Sequence, residues 1–279
     1  MRWLLLGLCA CAAPPPHDDV RSVEADLVVP RVTDSAPAPG ARVRMTAREY
    51  AGTDVHHALY LPTDWQPGAR YPVIVEYAGN GPFTNAFGDT CSGTLDDCCL
   101  GYGISGGEGY LWLCLPFVAP GGDRNARRWW GDVARTVAYC EAVLPRVCAA
   151  YGGDPDRVVL TGFSRGAIAC NYIGLHDDRI AQRWRAFVCH SHYDGVRAWG
   201  YPGDDRAAAA RRLARLADRP QWISHEGSVA AVEDYLGQAA PRGNFTVRPL
   251  PFRNHTGAWV LRDVPLRDEL RAFVRRAVR

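Results

Sequence analysis

Short apolar segments alternate with longer amphipathic segments along most of the chain. Runs rich in β-branched and aromatic residues predict strands at 43–46, 55–61, 72–77, 110–115, 157–161, 184–189, 221–224 and 245–250. Apolar residues at helical spacing predict helices at 128–151, 167–173, 206–217, 229–236 and 266–278. Strands that alternate with helices predict an α/β fold, in which a mostly parallel sheet of about eight strands is covered by helices on both faces.

The most informative motif lies between a predicted strand and a predicted helix. It is Gly162-Phe163-Ser164-Arg165-Gly166, which directly follows the strand at 157–161. A serine between two glycines at such a turn is the pattern of a nucleophile elbow, because the turn is too tight for Cβ atoms and its strain exposes the serine Oγ. Ser164 is therefore our candidate nucleophile. The alternative is a serine in an ordinary tight turn.

The same pattern occurs a second time, at Gly103-Ile104-Ser105-Gly106-Gly107. No apolar strand precedes Ser105, and the glycines that follow it oppose a helix. The context therefore favours Ser164 over Ser105.

A parallel sheet places its sites at the carboxyl ends of its strands, so the residues after each strand are the candidate partners of Ser164. His255 follows the last predicted strand, and an imidazole there can take up and release the serine proton near neutral pH. A carboxylate must then orient the imidazole. Glu226, after the penultimate strand, is the favoured acid, and Asp194, after the preceding strand, is its rival. The alternative for each residue is a plain loop or capping position.

Acyl chemistry also needs two N–H donors aimed at the developing oxyanion. The backbone N–H of Arg165, next to the nucleophile, is one candidate. The loop Gly79-Asn80-Gly81, after the strand at 72–77, is expected to supply the other. A plain glycine turn is the alternative for this loop.

Two further groups of residues lie at the same predicted edge. His190 and His192, with the neighbouring histidine and carboxylates, form a cluster that could bind a metal. No segment has a diagnostic ligand spacing, so we expect no metal and predict that they position the catalytic group or the substrate. Trp129 and Trp130 either form a platform for a sugar or an aromatic ring or simply pack at the start of a helix.

The composition excludes some classes of function. A net charge of +2, from 32 basic and 30 acidic residues, gives no sign of nucleic-acid binding. The chain contains no lysine, which excludes a Schiff-base or lysine-nucleophile mechanism.

The chain begins with one arginine and a short apolar run, which predicts an export signal over residues 1–11. Leu8-Cys9-Ala10-Cys11 resembles a bacterial lipoprotein box, which implies that an exported protein would be attached to a membrane only through a lipidated Cys11. The proline-rich residues 12–40 predict a flexible or extended tether, and residues 41–279 a single catalytic domain.

Eight cysteines follow the predicted signal. In an exported protein some would pair, and Cys91 with Cys98 or Cys99 is the simplest pairing. Cys114, Cys170 and Cys189 lie in predicted core elements, where we expect them to be buried thiols.

With the elbow, an acid and His255 in chain order, residues 43–279 resemble the α/β-hydrolase family. Within that family the layout is similar to that of exported bacterial polyhydroxybutyrate depolymerases and feruloyl esterases. The chain departs from the family pattern at Val229, where an aspartate is usual, and at Ala78, where a histidine is usual.

The resemblance implies an exported serine hydrolase that cleaves carboxylic esters, small or polymer-linked, without a cofactor. A serine peptidase of the same fold is the nearest alternative, although such enzymes usually carry an additional large domain. A non-catalytic binding protein that retained the fold is the alternative from another class.

Overall fold

The computed structural model describes residues 18–279 and contains a large central sheet. Its nine strands are β1 (Val32–Thr33), β2 (Arg42–Met45), β3 (His57–Tyr60), β4 (Tyr71–Tyr77), β7 (Leu111–Leu115), β8 (Gly153–Phe163), β9 (Ala186–His190), β10 (Gln221–His225) and β11 (Phe245–Pro249). Two further strands, β5 (Phe83–Thr84) and β6 (Thr90–Cys91), form a separate antiparallel pair.

The order of strands across the sheet is β1-β2-β3-β7-β4-β8-β9-β10-β11. Strand β3 is antiparallel to both of its neighbours, and every other pair is parallel. The predicted parallel α/β sheet is confirmed. It has nine strands rather than about eight, because the two-residue β1 pairs with β2 and is too short to give a period-2 signal.

The helices cover both faces of the sheet. They are α1 (Leu100–Ser105), α2 (Val133–Tyr151), α3 (Arg165–Tyr172), α4 (Asp178–Ala181), α5 (Arg206–Leu213), α6 (Ala230–Ala239) and α7 (Pro265–Ala277). Short 3-10 turns occur at Val20–Ser22, Arg48–Tyr50, Leu95–Asp97, Ala214–Leu216 and Gly257–Leu261.

The core has two parts, one on each face. Along β4, Val73 and Val75 belong to the cluster that includes residues of α2, α3 and α6, whereas Ile74 between them belongs to the cluster with α1 and α7. This alternation follows from the period of two in a strand, and all seven residues of β4 are buried.

Helix α1 lies in the glycine-rich segment where no helix was predicted. A buried carboxylate explains it: Glu76 on β4 accepts hydrogen bonds from the backbone N–H groups of Cys99 (3.0 Å), Leu100 (3.1 Å) and Gly101 (2.8 Å). These are N–H groups that a helix start leaves without partners. The indole Nε1 of Trp112 donates to the same carboxylate at 2.9 Å. Ser105 ends this helix, so it does not lie at an elbow.

Residues 18–40, which fall within the predicted tether, contain a 3-10 turn at Val20–Ser22 and the short strand β1. Part of this segment lies against the domain: Val20 is 3% exposed, and its N–H donates to Asn254 Oδ1 at 2.7 Å. Strand β1 then joins the sheet edge. An apolar residue and backbone hydrogen bonds hold the segment in place, whereas its proline content indicated flexibility. The predicted signal at 1–11, with Cys11, lies outside the described residues.

The structure tests the predicted state of the cysteines. All eight described cysteines are free thiols, so Cys91 is not bonded to Cys98 or Cys99. Cys114, Cys170 and Cys189 are buried, as predicted. No helix among residues 18–279 is long and apolar enough to cross a membrane.

Replacing Glu76 by glutamine tests the role of this carboxylate in holding α1. The amide NH₂ group would face N–H donors, so we expect Glu76→Gln to lower the free energy of unfolding by about 2–3 kcal/mol. Urea unfolding measures the change. The exposed Glu108 provides the control, and Glu108→Gln should change the same free energy by less than about 0.5 kcal/mol. Equal losses in the two variants would contradict this role.

Candidate active site

Ser164 occupies a sharp turn between β8 and α3. Its backbone angles, φ 54° and ψ −115°, lie outside the regions that L-residues favour. A Cβ on Gly162 would lie 2.2 Å from the carbonyl carbon of Gly166, and a Cβ on Gly166 would lie 1.9 Å from the carbonyl oxygen of Tyr77. Neither position can hold a side chain, because the start of α3 packs directly on the ends of β8 and β4. The turn has the geometry of a nucleophile elbow.

The structure brings three of the predicted side chains into one hydrogen-bonded row. The Oγ of Ser164 lies 3.1 Å from Nε2 of His255, and Nδ1 of His255 lies 2.5 Å from Oε1 of Glu226. An ionised carboxylate only accepts hydrogen bonds, so Nδ1 carries the proton and Nε2 presents its lone pair to the serine hydroxyl. A proton can therefore pass from Ser164 to His255.

Glu226 is held as an anion beside this imidazole. Burial opposes its ionisation, but the hydrogen bond from His255 and the charges of His190 and His255 outweigh burial and lower the pKa of Glu226 to about 2. Its carboxylate is therefore negative across the neutral range, as a group that stabilises an imidazolium must be.

Asp194 lies elsewhere, although the sequence made it the rival acid. Its carboxylate is 1% exposed and accepts hydrogen bonds from Arg212, with Nε at 2.8 Å and Nη2 at 2.9 Å. The hydroxyl of Tyr201 is a third partner, at 3.3 Å. Asp194 thus neutralises a buried arginine and makes no contact with His255.

Two residues that the sequence did not single out hold the histidine loop. The backbone N–H of His255 donates to Oδ2 of Asp89 at 2.9 Å, and the side-chain amide of Asn254 donates to Oδ1 of the same carboxylate at 2.7 Å. Asp89 lies 166 positions from His255 in the chain, so no local pattern could have indicated the contact.

Within the predicted oxyanion loop, the backbone N–H of Asn80 is best placed to donate a hydrogen bond to an oxyanion. The N–H of Gly81 is already bonded to the carbonyl of Arg127 at 3.0 Å. Asn80 lines the same cavity as Ser164 and Arg165, and among the described residues its backbone N–H has no acceptor. The N–H of Arg165, at the first position of α3, is equally without an acceptor in the described part of the chain.

The side chain of Arg165 ties these loops together. It is 1% exposed, and its guanidinium lies 4.1 Å from the ring centroid of Phe117. It donates to the carbonyl oxygens of Gly79 (2.7 Å), Trp129 (2.7 Å), Ala78 (3.4 Å), Gly93 (3.4 Å) and Ala126 (3.4 Å). Burial lowers the pKa of Arg165 to about 9.

His190 and His192 have different surroundings. His190 is fully buried and bonded, with Nδ1 3.1 Å from Ser224 Oγ and Nε2 2.9 Å from the carbonyl of Thr256. The ring of His192 lies beside the site, 5.1 Å from that of His255. Among residues 18–279, the side chains close enough to share an ion are instead Glu76, Cys98 and Cys114, where N–H groups already occupy the carboxylate.

Trp129 and Trp130 also have different surroundings. Trp130 is 3% exposed and stacks on Tyr172 with ring centroids 4.5 Å apart, so it is a packing residue. Trp129 is half-buried, lines the cavity and lies 5.9 Å from Trp199. Only Trp129 is placed to contact a ligand.

The cavity in front of Ser164 has a volume of about 330 Å³. Its walls are mostly apolar and aromatic, with the catalytic candidates at one side. They are formed by Asn80, Pro82, Phe83, Cys91, Arg128, Trp129, Phe163, Ser164, Arg165, Ile168, His192, Trp199 and His255.

Known proteins share this fold. Esterase 2 of Thermogutta terrifontis superimposes with a TM-score of 0.55 at 16% identity, covering 84% of this chain and 92% of that one. An acetyl ester-xyloside bifunctional hydrolase from Caldicellulosiruptor lactoaceticus gives 0.53 at 13% identity, covering 87% and 96%. The chain therefore has the α/β-hydrolase fold, as the resemblance implied.

Similarity in sequence is weaker and partial. No protein-family model matches the chain. The lasso peptide isopeptidase AtxE2 of Asticcacaulis excentricus is 26% identical over 160 residues, which cover 52% of this chain. The match spans about a fifth, 21%, of the length of that relative.

A methyl group at Gly166 tests the packing that shapes the elbow. Because the added Cβ would overlap the carbonyl oxygen of Tyr77, we expect Gly166→Ala to lower the free energy of unfolding by about 3 kcal/mol. Gly237 is the matched control: it lies in α6 with no atom within 4 Å of an added Cβ. Gly237→Ala should raise the same free energy by about 0.5–1 kcal/mol. Chemical denaturation of both variants measures the two changes, and a neutral Gly166→Ala would show that the turn can relax.

Proposed function

We propose that this protein is a serine hydrolase that cleaves carboxylic esters through an acyl-enzyme. The observation that carries the proposal is the row from Ser164 Oγ to His255 Nε2 (3.1 Å) and from His255 Nδ1 to Glu226 (2.5 Å), built on an elbow. A hydroxyl, an imidazole and a carboxylate in this order are the requirements of nucleophilic acyl transfer.

In the first half of the reaction, Ser164 Oγ attacks the ester carbonyl carbon while its proton passes to Nε2 of His255. The carbonyl electrons move to the oxygen, and the backbone N–H groups of Arg165 and Asn80 stabilise the resulting oxyanion. The oxyanion then collapses, the bond to the alcohol breaks, and the alcohol leaves with the proton from His255. In the second half, water takes the place of Ser164, and its attack releases the acid and restores the serine.

Glu226 keeps the imidazole in the right tautomer and stabilises its charged form during each transfer. Its geometry and low pKa favour it for this role over Asp194, which is committed to Arg212. No step requires a cofactor.

Two observations favour an ester substrate of modest size. The cavity, at about 330 Å³, lies near the lower end of the range for small-molecule sites, and its walls are largely apolar. The similar structures named above include two ester hydrolases. We propose a small or terminal acyl group in the cavity, with Trp129 and Trp199 against it.

Amide hydrolysis is the second candidate, because the chain resembles an isopeptidase over part of its length. The same three side chains can cleave an amide, whose amine leaves with the proton from His255. Values of kcat/KM for nitrophenyl esters of increasing chain length, for feruloyl and acetyl-sugar esters, and for peptide nitroanilides decide between the two.

We also propose that the protein acts after export. The support is the arginine and apolar run at 1–11 and the lipoprotein-like Cys11.

Labelling with a fluorophosphonate probe tests the nucleophile. We expect the probe to label the wild-type protein and Ser105→Ala equally, because Ser105 only ends a helix, and not to label Ser164→Ala. Gel fluorescence and intact mass measure the adduct. If folded wild-type protein remains unlabelled, the protein is better described as a binding protein that kept the fold.

A pair of carboxylate variants tests the acid. We expect Glu226→Gln to lower kcat for a nitrophenyl ester by about a thousandfold or more, because the amide no longer stabilises the imidazolium. Asp194→Asn should keep kcat per probe-titrated site close to wild type. It should instead lose about 3 kcal/mol of stability, because it leaves Arg212 buried without its counter-charge. The opposite order of kcat values would transfer the acid role to Asp194.

A further inference from the structure

Ser191 has an unusual backbone for a serine. It is the first residue after β9, it is fully buried, and its φ is +86°. Four described non-glycine residues have positive φ: Trp129, Ser164, Ser191 and Ala217. Trp129 and Ser164 line the cavity, and Ser191 contacts the catalytic row. Strain of this kind persists where the surrounding structure imposes it, and it concentrates at functional sites.

This backbone places the Ser191 hydroxyl beside the His255–Glu226 pair, within hydrogen-bond distance of both residues. The hydroxyl donates to Oε1 of Glu226 at 2.9 Å, and its oxygen lies 2.8 Å from Nδ1 of His255. The N–H of Ser191 donates to the carbonyl of Ser224 at 2.7 Å, which fixes the residue between β9 and β10. Its position is therefore set by the sheet itself.

Glu226 has few other partners. Among the described residues, Oε2 of Glu226 has no hydrogen bond, and Oε1 receives hydrogen bonds from His255 and Ser191. His225 Nδ1 lies 3.9 Å from Oε2, but it already accepts the N–H of Gly227 and so has no proton to offer. Ser191 is thus the one donor, besides the imidazole, that stabilises this carboxylate in the described part of the chain.

We propose that Ser191 is a positioning residue that sets the pH range of the catalytic pair. The inference rests on the proposed function of Ser164, His255 and Glu226. While the imidazole of His255 is neutral, the hydrogen bond from the Ser191 hydroxyl holds the Glu226 carboxylate in position and stabilises part of its negative charge. A carboxylate stabilised in this way attracts a proton on the imidazole less strongly. With the hydroxyl present, we expect activity to extend to a lower pH than it would without the hydroxyl.

Other charged and titratable groups face the pair from the neighbouring elements. They are Asp89, which accepts the N–H of His255, and the side chains of His190, His192 and His225. Burial lowers the pKa of His190 to about 4, that of His192 to about 3, and that of His225 below its ordinary value. The rings of His190 and His192 are therefore neutral near neutral pH, so neither adds a charge to the His255–Glu226 pair there.

The test is the pH profile of kcat/KM for a nitrophenyl ester in wild type, Ser191→Ala and Ser191→Gly. Without the hydroxyl, the carboxylate stabilises the imidazolium more strongly, so the inactive protonated form persists to higher pH. We expect the midpoint of the acid limb to rise by about half a pH unit in both variants. Glycine also relieves the positive φ, so a shift of the same size in both variants assigns the effect to the hydroxyl and not to the backbone.

A second measurement does not depend on turnover. The Nδ1 proton of His255 should give a far-downfield proton NMR signal that is absent in His255→Ala. In both Ser191 variants, the pH at which this signal titrates should rise together with the midpoint of the acid limb. If wild type is labelled by the fluorophosphonate and the Ser191 variants keep its profile and titration, the role of Ser191 is wrong and the proposed function stands. If wild type is neither labelled nor active, the proposed function fails and this inference fails with it.

Discussion

The close approach of α3 to the ends of β8 and β4 is the constraint on which the site depends. At Gly162 and Gly166 the backbones are so near that a single methyl group would overlap a neighbouring main-chain atom. The chain can pass only by holding Ser164 at a positive φ, which raises its side chain over the edge of the sheet. The carboxyl ends of β9, β10 and β11 meet at that same edge, and they carry Ser191, Glu226 and the loop of His255. The close packing of α3 against β8 and β4 thus determines where the candidate catalytic side chains meet.

The residue after the nucleophile extends this constraint to the other wall of the cavity. A buried charge is costly unless its hydrogen bonds are made. Arg165 makes them entirely with main-chain carbonyls, those of Gly79 and Trp129 being the closest. One side chain therefore fixes the oxyanion loop and the tryptophan loop relative to the elbow. The sequence pointed to Arg165 for its backbone N–H alone. Its side chain is an equally large part of how the site is assembled.

What the sequence could predict was local, and what it missed depends on the tertiary structure. The strand pattern, the elbow and the loop of His255 follow from periodicity and from glycines next to serine, because these signals lie within a few residues. The sequence could not decide whether Glu226 or Asp194 is the candidate acid. The structure favours Glu226, because Asp194 forms an ion pair with Arg212, which lies 18 residues away in the chain. Helix α1 was missed because a carboxylate on another strand, Glu76, stabilises its start. Ser191 was missed because no pattern in the sequence marks a serine with positive φ.

The loop of His255 is held by residues that lie far from it in the chain. A histidine base is useful only if its loop is fixed, and here the fixing groups come from distant parts of the chain. Asp89 accepts from His255 and Asn254, and the carbonyl oxygen of the Asn254 side chain accepts the N–H of Val20. Val20 in turn is buried in the core cluster that includes Phe252 and Trp259. The segment that contains Val20 therefore helps to support the loop of the candidate base.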